Sequence, residues 1–343
     1  MKAQEIILSK ERNVTLTAYI QEVDGEFGFS KRPAMLVIPG GGYAMCSDRE
    51  ADAVATAYLK AGYQAFILRY TCTPKGKWPL PLEDYEQAIT LIEERADEWH
   101  LDKTKIAVIG FSAGGHLAAC AATVAEHRPA AAVLVYPAIL KDICDLCQPG
   151  MPYPHEHVTA ETCPCFLVAA RDDRTVDISN TLRMELALAE KGVAFESHIY
   201  SYGGHGFSTG EDWINTNSVC PRLPRWVPDS IEWLGEVMGK LTRGGFAEPV
   251  HTGSMNGNYA PVLSVDCTLS HLRRQSEDAK TVLAPMFAAI EAVAKARQFS
   301  TDGLMAAVGN NTAREIMEMV QIPPEAILEI DKALHQMINE LEA

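Results

Sequence analysis

The sequence predicts an α/β fold, a mostly parallel, doubly wound sheet followed by a small α-helical C-terminal module. Three observations carry this expectation. Short continuous apolar runs alternate with stretches of helical period up to about residue 241. Two of those runs end in glycine-rich turns, Pro39-Gly40-Gly41-Gly42 and Gly110-Phe111-Ser112-Ala113-Gly114-Gly115, each followed by a helical pattern. After Thr242 the strand signals stop, and from about Ser270 the pattern is helical throughout.

Taken in order, 14–20 alternates apolar and polar residues and predicts a half-exposed strand. The run 34–38 predicts a buried strand, and a helical pattern reaches Ala61. A strand over 64–70, a Pro-rich link over 74–81 and a helix near 82–98 follow. The run 106–109 predicts the next buried strand, and an alanine-rich helix extends from Ala113 to about Glu126. Strands over 131–136, 166–170 and 195–200, with helices near 178–191 and 228–241, complete the alternation. Strands and helices of this length connect by βαβ crossovers, which cover both faces of a parallel sheet.

This places an α/β domain at 1–243, a linker rich in Gly, Asn, Ser and Pro at 244–265, and a helical module at 266–343. In the module, Val282, Leu283, Met286, Phe287, Ile290 and Val293 share one helical face, and Ile327, Ile330, Leu334, Met337 and Leu341 another. Pro285 is expected to start, kink or split its helix, and Asn311-Thr312 and Pro323-Pro324 read as helix starts. A segment this short is expected to pack on the larger domain or on a second copy of itself. A lid, a docking module and oligomerisation are the roles it could fill.

A chain of 343 residues, 47% hydrophobic and 22% charged, has room for one large core and a smaller one. Its net charge of −15 lacks the basic footprint that nucleic acid or an anionic membrane requires, so neither is an expected partner. Residues 1–12 have three consecutive apolar residues, Ile6-Ile7-Leu8, before charges resume, and no secretory apolar core. No run approaches the roughly 18 apolar residues that span a bilayer. Nine scattered cysteines, an odd number, read as reduced thiols, and a cytoplasmic location is the expectation.

The chemistry centres on Ser112. A serine between glycines on a strand-to-helix turn is a nucleophile elbow, which lifts its hydroxyl above the sheet and aims the next helix N-terminus at the same point. Acyl transfer by serine also needs a base, a group that orients the base, and donors for the oxyanion. The donors expected are the backbone N–H groups of Gly41, Gly42 and Ala113, since glycines let the backbone approach a carbonyl unobstructed. No Gly-Lys-Ser/Thr follows the glycines, so a phosphate cradle does not fit. The orienting acid is Asp173, with Asp172 as its rival, just past the C-terminal end of a strand. The base is His205, flanked by Gly204 and Gly206 in the loop after the last strand. His116, inside the elbow helix, reads as packing. The set Cys144, Cys147, Cys163, Cys165, His155 and His157 resembles zinc ligands, but Cys165 opens a core strand and C-x-C is a poor finger spacing. Ser47-x-x-Glu50 reads as a capping box rather than as catalytic.

With these residues assembled, about residues 30–241 resemble the α/β-hydrolase esterases near the acetyl esterase and acetylxylan esterase group, some of which carry xylanase-type labels. The resemblance rests on Pro39-Gly-Gly-Gly-Tyr43, Ser47-Asp-Arg-Glu50, Leu68-Arg-Tyr70, Gly110-Phe-Ser-Ala-Gly-Gly-His116, Asp172-Asp-Arg-Thr-Val176 and His205-Gly-Phe207. It implies an α/β-hydrolase fold and hydrolysis of short acyl esters, with acetyl groups on carbohydrate as the leading substrate. The segment from Tyr136 to Cys165 is shorter and richer in cysteine than the family pattern, and the helical tail lies outside it. The expectation is a serine esterase with the triad Ser112, Asp173 and His205, needing neither metal nor organic cofactor, with a small ester such as an acetylated oligosaccharide as partner. An arylformamidase or peptidase would use the same triad. A binding or assembly protein that keeps the fold without the chemistry is the alternative from another class.

Overall fold

The computed structural model describes residues 1–23, 25–215, 218–250 and 256–340. Residues 251–255 of the expected linker, His251 among them, and Leu341 of the expected helical face lie outside the described residues. The chain divides into two compact units, 1–253 and 254–343.

The larger unit runs β1 (Lys2–Ser9), β2 (Val14–Ile20), β3 (Arg32–Ile38), α1 (Asp52–Lys60), β4 (Gln64–Arg69), α2 (Leu80–Glu94), β5 (Leu101–Phe111) and α3 (Ala113–Thr123). It continues through β6 (Ala131–Val135), α4 (Lys141–Cys147), β7 (Cys165–Ala170), α5 (Ser179–Glu190), β8 (Phe195–Tyr200) and α6 (Trp226–Met238). The eight strands form one sheet in the order β1-β2-β4-β3-β5-β6-β7-β8. Strands β4, β3, β5, β6, β7 and β8 pair in parallel, while β1 and β2 pair antiparallel at one edge. A doubly wound sheet of the expected class is therefore present.

Alternate residues along the central strands face opposite ways, and helices cover both sides. Leu36, Ile38, Val108 and Leu134 pack with Tyr85 of α2, Leu117 of α3 and Met184 of α5. Met35, Val37, Ile109 and Val133 pack with Tyr58 of α1 and Leu234 of α6. Each large apolar side chain buried this way contributes about 1.5–3 kcal/mol over leaving it in water. Burial on both faces is why these strands read as continuous apolar runs, while β2 alternates buried and half-buried residues along its whole length. Two elements ahead of α6 escape the sequence reading. Strand β1 is a sheet edge whose residues are exposed or half-buried, and α4 occupies part of the cysteine-rich stretch.

Because the central strands run parallel, the loops after β3, β5, β6, β7 and β8 all emerge at one edge of the sheet, where open α/β sheets build their sites. These loops carry Gly41 and Gly42, Ser112, Tyr136, Asp173 and His205 respectively. Past α6, β9 (Leu241–Thr242) and β10 (Gly245–Phe246) form a short hairpin, so ordered backbone enters the stretch expected as a linker.

The smaller unit is helical: α7 (Leu269–Leu272), α8 (Glu277–Val282), α9 (Ala284–Ala296), α10 (Thr301–Ala307), α11 (Ala313–Met319) and α12 (Pro324–Leu334). It closes a core of its own around Leu263, Leu269, Met286, Ile290, Ile316 and Leu334. Side chains of Thr268, Ser276, Ser300 and Thr312 cap α7, α8, α10 and α11, and Thr312 with Glu315 completes a capping box. Pro285 stands in the first turn of α9, where its missing N–H is harmless, and so divides α8 from α9.

Candidate active site

Strand β5 delivers Phe111 and then turns at once into α3 through Ser112, whose φ of 53° and ψ of −116° are strained for a residue with a Cβ. The flanking glycines make room for this turn by close packing. A Cβ on Gly110 would lie 2.1 Å from the Gly114 carbonyl oxygen, and one on Gly114 would lie 2.2 Å from that of Ile38. The Ser112 N–H donates to the Val135 carbonyl at 3.0 Å, and the Ser112 carbonyl accepts from the His116 and Ala138 N–H groups at 2.9 and 3.1 Å. The elbow is thus pinned by backbone while its hydroxyl is left for chemistry.

His205 sits between Gly204 and Gly206, with φ values of 64° and 75°, which only glycine adopts freely. Its Nε2 lies 2.9 Å from Ser112 Oγ and its Nδ1 2.7 Å from Asp173 Oδ2. The Asp173 side chain is 1% exposed, and its Oδ1 accepts the N–H groups of Thr175 and Val176 at 2.8 and 2.9 Å. A carboxylate facing Nδ1 keeps the proton on that nitrogen, leaving Nε2 to accept from the serine hydroxyl. Asp172, the rival acid, does a different job. Its Oδ1 accepts the N–H groups of Gly203 and Gly204 at 2.9 and 3.0 Å and holds the loop that carries the histidine.

The glycine loop folds back against the elbow. A Cβ on Gly40 would meet the Phe111 carbonyl oxygen at 2.6 Å and Ser112 Cβ at 3.0 Å. Gly41, Gly42 and Tyr43 have φ of 133°, 63° and 58°, and the Gly41 carbonyl accepts from Ala44 and Met45 at 3.0 and 3.2 Å. Among the described residues, the N–H groups of Gly41, Gly42 and Ala113 donate to no backbone acceptor, as donors kept for a ligand would.

Four residues that shape the site are not among those the sequence singles out as catalytic. Tyr70 donates its hydroxyl to the Pro39 carbonyl at 2.8 Å. His116 is more than packing: its Nδ1 lies 2.7 Å from the Tyr43 hydroxyl and its Nε2 2.9 Å from the Pro152 carbonyl, which ties the glycine loop to the elbow helix. Burial pushes its pKa down to about 4, so the ring is neutral near pH 7. Tyr136, with φ of 37°, sets its ring 4.9 Å from that of His205. Glu50 corrects the capping-box expectation. Ser47 makes no side-chain cap, and the buried Glu50 carboxyl instead accepts from the Gly40 N–H at 2.8 Å and the Tyr136 hydroxyl at 2.6 Å. Burial raises its pKa above the ordinary carboxylate range, and these two hydrogen bonds oppose the rise. The motif's nearness to the glycine loop is the signal that could have pointed to it.

The cysteines expected as tempting metal ligands are free thiols, with Cys144 and Cys165 buried in the sheet's core. Among the described residues, no group of three or more His, Cys, Asp or Glu side chains is placed to hold a metal ion.

A family model described as BD-FAE matches residues 27–140. An α/β hydrolase enzyme of known structure, from a Medee basin deep-sea metagenome library, is 38% identical. The match covers 69% of this chain and 98% of that one, with a TM-score of 0.64. Endo-1,4-beta-xylanase B of Butyrivibrio fibrisolvens is 31% identical over 53% of this chain. Acetylxylan esterase of Xylanibacter ruminicola is 29% identical over 57%. The matches span 33% and 45% of the lengths of these two curated relatives.

Proposed function

This chain belongs to the α/β-hydrolase family, and from that premise we propose that it is a serine carboxylester hydrolase for short acyl esters, acetyl esters of carbohydrate foremost. One observation carries the reading: an unbroken run from Ser112 Oγ to His205 Nε2 at 2.9 Å and from His205 Nδ1 to Asp173 Oδ2 at 2.7 Å. The acetyl and carbohydrate part draws its support from the similarity to an acetylxylan esterase.

In this mechanism Ser112 Oγ attacks the ester carbonyl carbon while His205 Nε2 takes the hydroxyl proton. Asp173 holds the Nδ1 proton and stabilises the imidazolium that forms. The N–H groups of Ala113 and of Gly41 or Gly42 receive the negative oxygen, each such donor lowering the barrier by about 3 kcal/mol. The tetrahedral adduct collapses, His205 returns the proton to the departing alcohol, and an acyl-Ser112 ester remains. Water then attacks the acyl carbon with His205 again as base, releasing the carboxylic acid and restoring Ser112. No step calls on a metal or an organic cofactor.

The test is Ser112→Ala in the full chain, assayed with 4-nitrophenyl acetate. The expected outcome is a folded protein whose turnover falls to background, and retained turnover would remove Ser112 from the reaction. Acetylated xylo- and manno-oligosaccharides beside formamide and peptide substrates then separate deacetylation from amide cleavage by the same triad. A folded chain that neither labels with a fluorophosphonate nor turns over any of these would favour a binding role.

A further inference from the structure

We infer that Glu50 is a positioning residue whose two carboxyl oxygens fasten the oxyanion loop and the histidine loop to each other, an inference that rests on the ester-hydrolase reading above. The side chain is 3% exposed and stands on the turn over 48–50, between the two loops. Oxygen Oε2 accepts the N–H of Gly40, the residue before the oxyanion glycines, at 2.8 Å. Gly40 in turn lies beside Ser112, where a Cβ would meet the Phe111 carbonyl oxygen at 2.6 Å and Ser112 Cβ at 3.0 Å. Oxygen Oε1 accepts the Tyr136 hydroxyl at 2.6 Å, and the same Tyr136 oxygen accepts the Ser208 N–H at 3.0 Å. Ser208 lies three residues beyond His205, and the Tyr136 ring sits against both His205 and Phe207, at 4.9 and 4.5 Å between centroids. A second tie runs to the same turn, since Ser208 Oγ donates to the Arg49 carbonyl at 2.6 Å.

The acceptor count explains why the residue is a carboxyl. Gly40 and Tyr136 both present donors, so the group between them must accept on both sides. A glutamine of the same size accepts on one side only. With its oxygen on Gly40, its amide group faces the Tyr136 oxygen and turns the tyrosine proton away. The transition state needs the oxyanion donors and the base at a fixed separation, and small errors there are costly to rate. Substrate binding in the ground state depends on that separation far less, so the loss should fall on kcat rather than KM.

The experiment uses the full chain with Glu50→Gln, Tyr136→Phe and the double variant. Each is measured for kcat and KM on 4-nitrophenyl acetate, with active sites counted by fluorophosphonate labelling of Ser112. We expect kcat per labelled site to fall about 10-fold in Glu50→Gln and about 5-fold in Tyr136→Phe, with KM within about twofold. The double variant should lose no more than about twofold beyond Glu50→Gln, because the two groups act as one unit. A merely structural role would lower the labelled fraction and leave kcat per labelled site unchanged, and that result overturns the inference. So does a double variant that loses the product of the single effects. Should Glu50→Gln fail to fold, Tyr136→Phe keeps the ring on His205 and decides alone. An active Ser112→Ala would sink the hydrolase reading itself. An inert Ser112→Ala beside a folded, fully active Glu50→Gln would sink only the role given to Glu50.

Discussion

Replacing Asp173 by asparagine asks whether this acid sets the proton position on His205. The carboxyl is held on one side by two backbone donors, with Oδ1 accepting from Thr175 and Val176 at 2.8 and 2.9 Å. An amide turned the other way would set a donor against both N–H groups, at about 1–3 kcal/mol for the buried Val176 N–H alone. The asparagine oxygen therefore takes the Oδ1 place, and its NH2 takes the Oδ2 place, 2.7 Å from His205 Nδ1. Two donors cannot share that gap, so the ring proton moves to Nε2, which faces Ser112 Oγ at 2.9 Å. The base then has no lone pair for the serine proton. A wrong-tautomer variant of a serine triad loses about 10⁴ in kcat, or roughly 5 kcal/mol of barrier. Initial rates on 4-nitrophenyl acetate at pH 7.5, with Ser112→Ala as the zero, measure this directly. Asp172→Asn is the paired control. It asks only for an oxygen to accept from Gly203 and Gly204, which an amide oxygen supplies, so kcat should stay within about threefold of wild type. A folded Asp173→Asn with kcat within tenfold of wild type, or a larger loss in Asp172→Asn, would refute the assignment.

Gly114→Ala would place a Cβ 2.2 and 2.4 Å from the carbonyl oxygens of Ile38 and Pro39, backbone that cannot yield, so unfolding in urea should show a loss of about 3 kcal/mol. An unchanged midpoint would show that the elbow glycine is not needed for packing. His116 gives a pH signature. Its pKa falls from 6.5 in the unfolded chain to about 4 in the folded one, so the unfolded state binds the extra proton. Its contribution to stability is whole above about pH 6.5 and is lost as the pH falls towards 4, which amounts to about 3 kcal/mol over that window. Wild type should therefore lose about 3 kcal/mol more than His116→Gln between pH 7 and pH 4. Tryptophan fluorescence reads this out for the larger unit alone, because Trp78, Trp99, Trp213, Trp226 and Trp233 all lie within it. Equal pH slopes would mean that His116 is not held neutral by burial.

What could be read from the sequence tracks how local the physical constraint is. The parallel strands were legible because a strand must be apolar where it is buried on both faces, and 34–38 of β3, 106–111 of β5, β6 and β7 obey that rule. Strand β1 was not, because an edge strand with one side in solvent carries Lys2, Gln4 and Glu5 and has no such signature. The elbow was legible for a similar reason: Gly110 and Gly114 answer to atoms within a few residues or on the adjoining strand. Asp172 and Asp173 could be ranked but not separated, since adjacent acids in one turn differ only in where their side chains point. Glu50 marks the limit most sharply. Ser47-x-x-Glu50 satisfies a local capping rule, and a local rule is all that spacing can test. In the fold, the same carboxyl meets Gly40 and Tyr136, ten and 86 residues away, and those donors outcompete the helix end. Tyr136 itself reads as the last residue of an apolar strand, and its hydroxyl gains a purpose only once β3 and β6 lie on either side of β5. Residues that touch the reaction announce themselves through local backbone needs. Residues that hold those groups at the right separation are specified by strand order, and strand order has no spacing in the sequence.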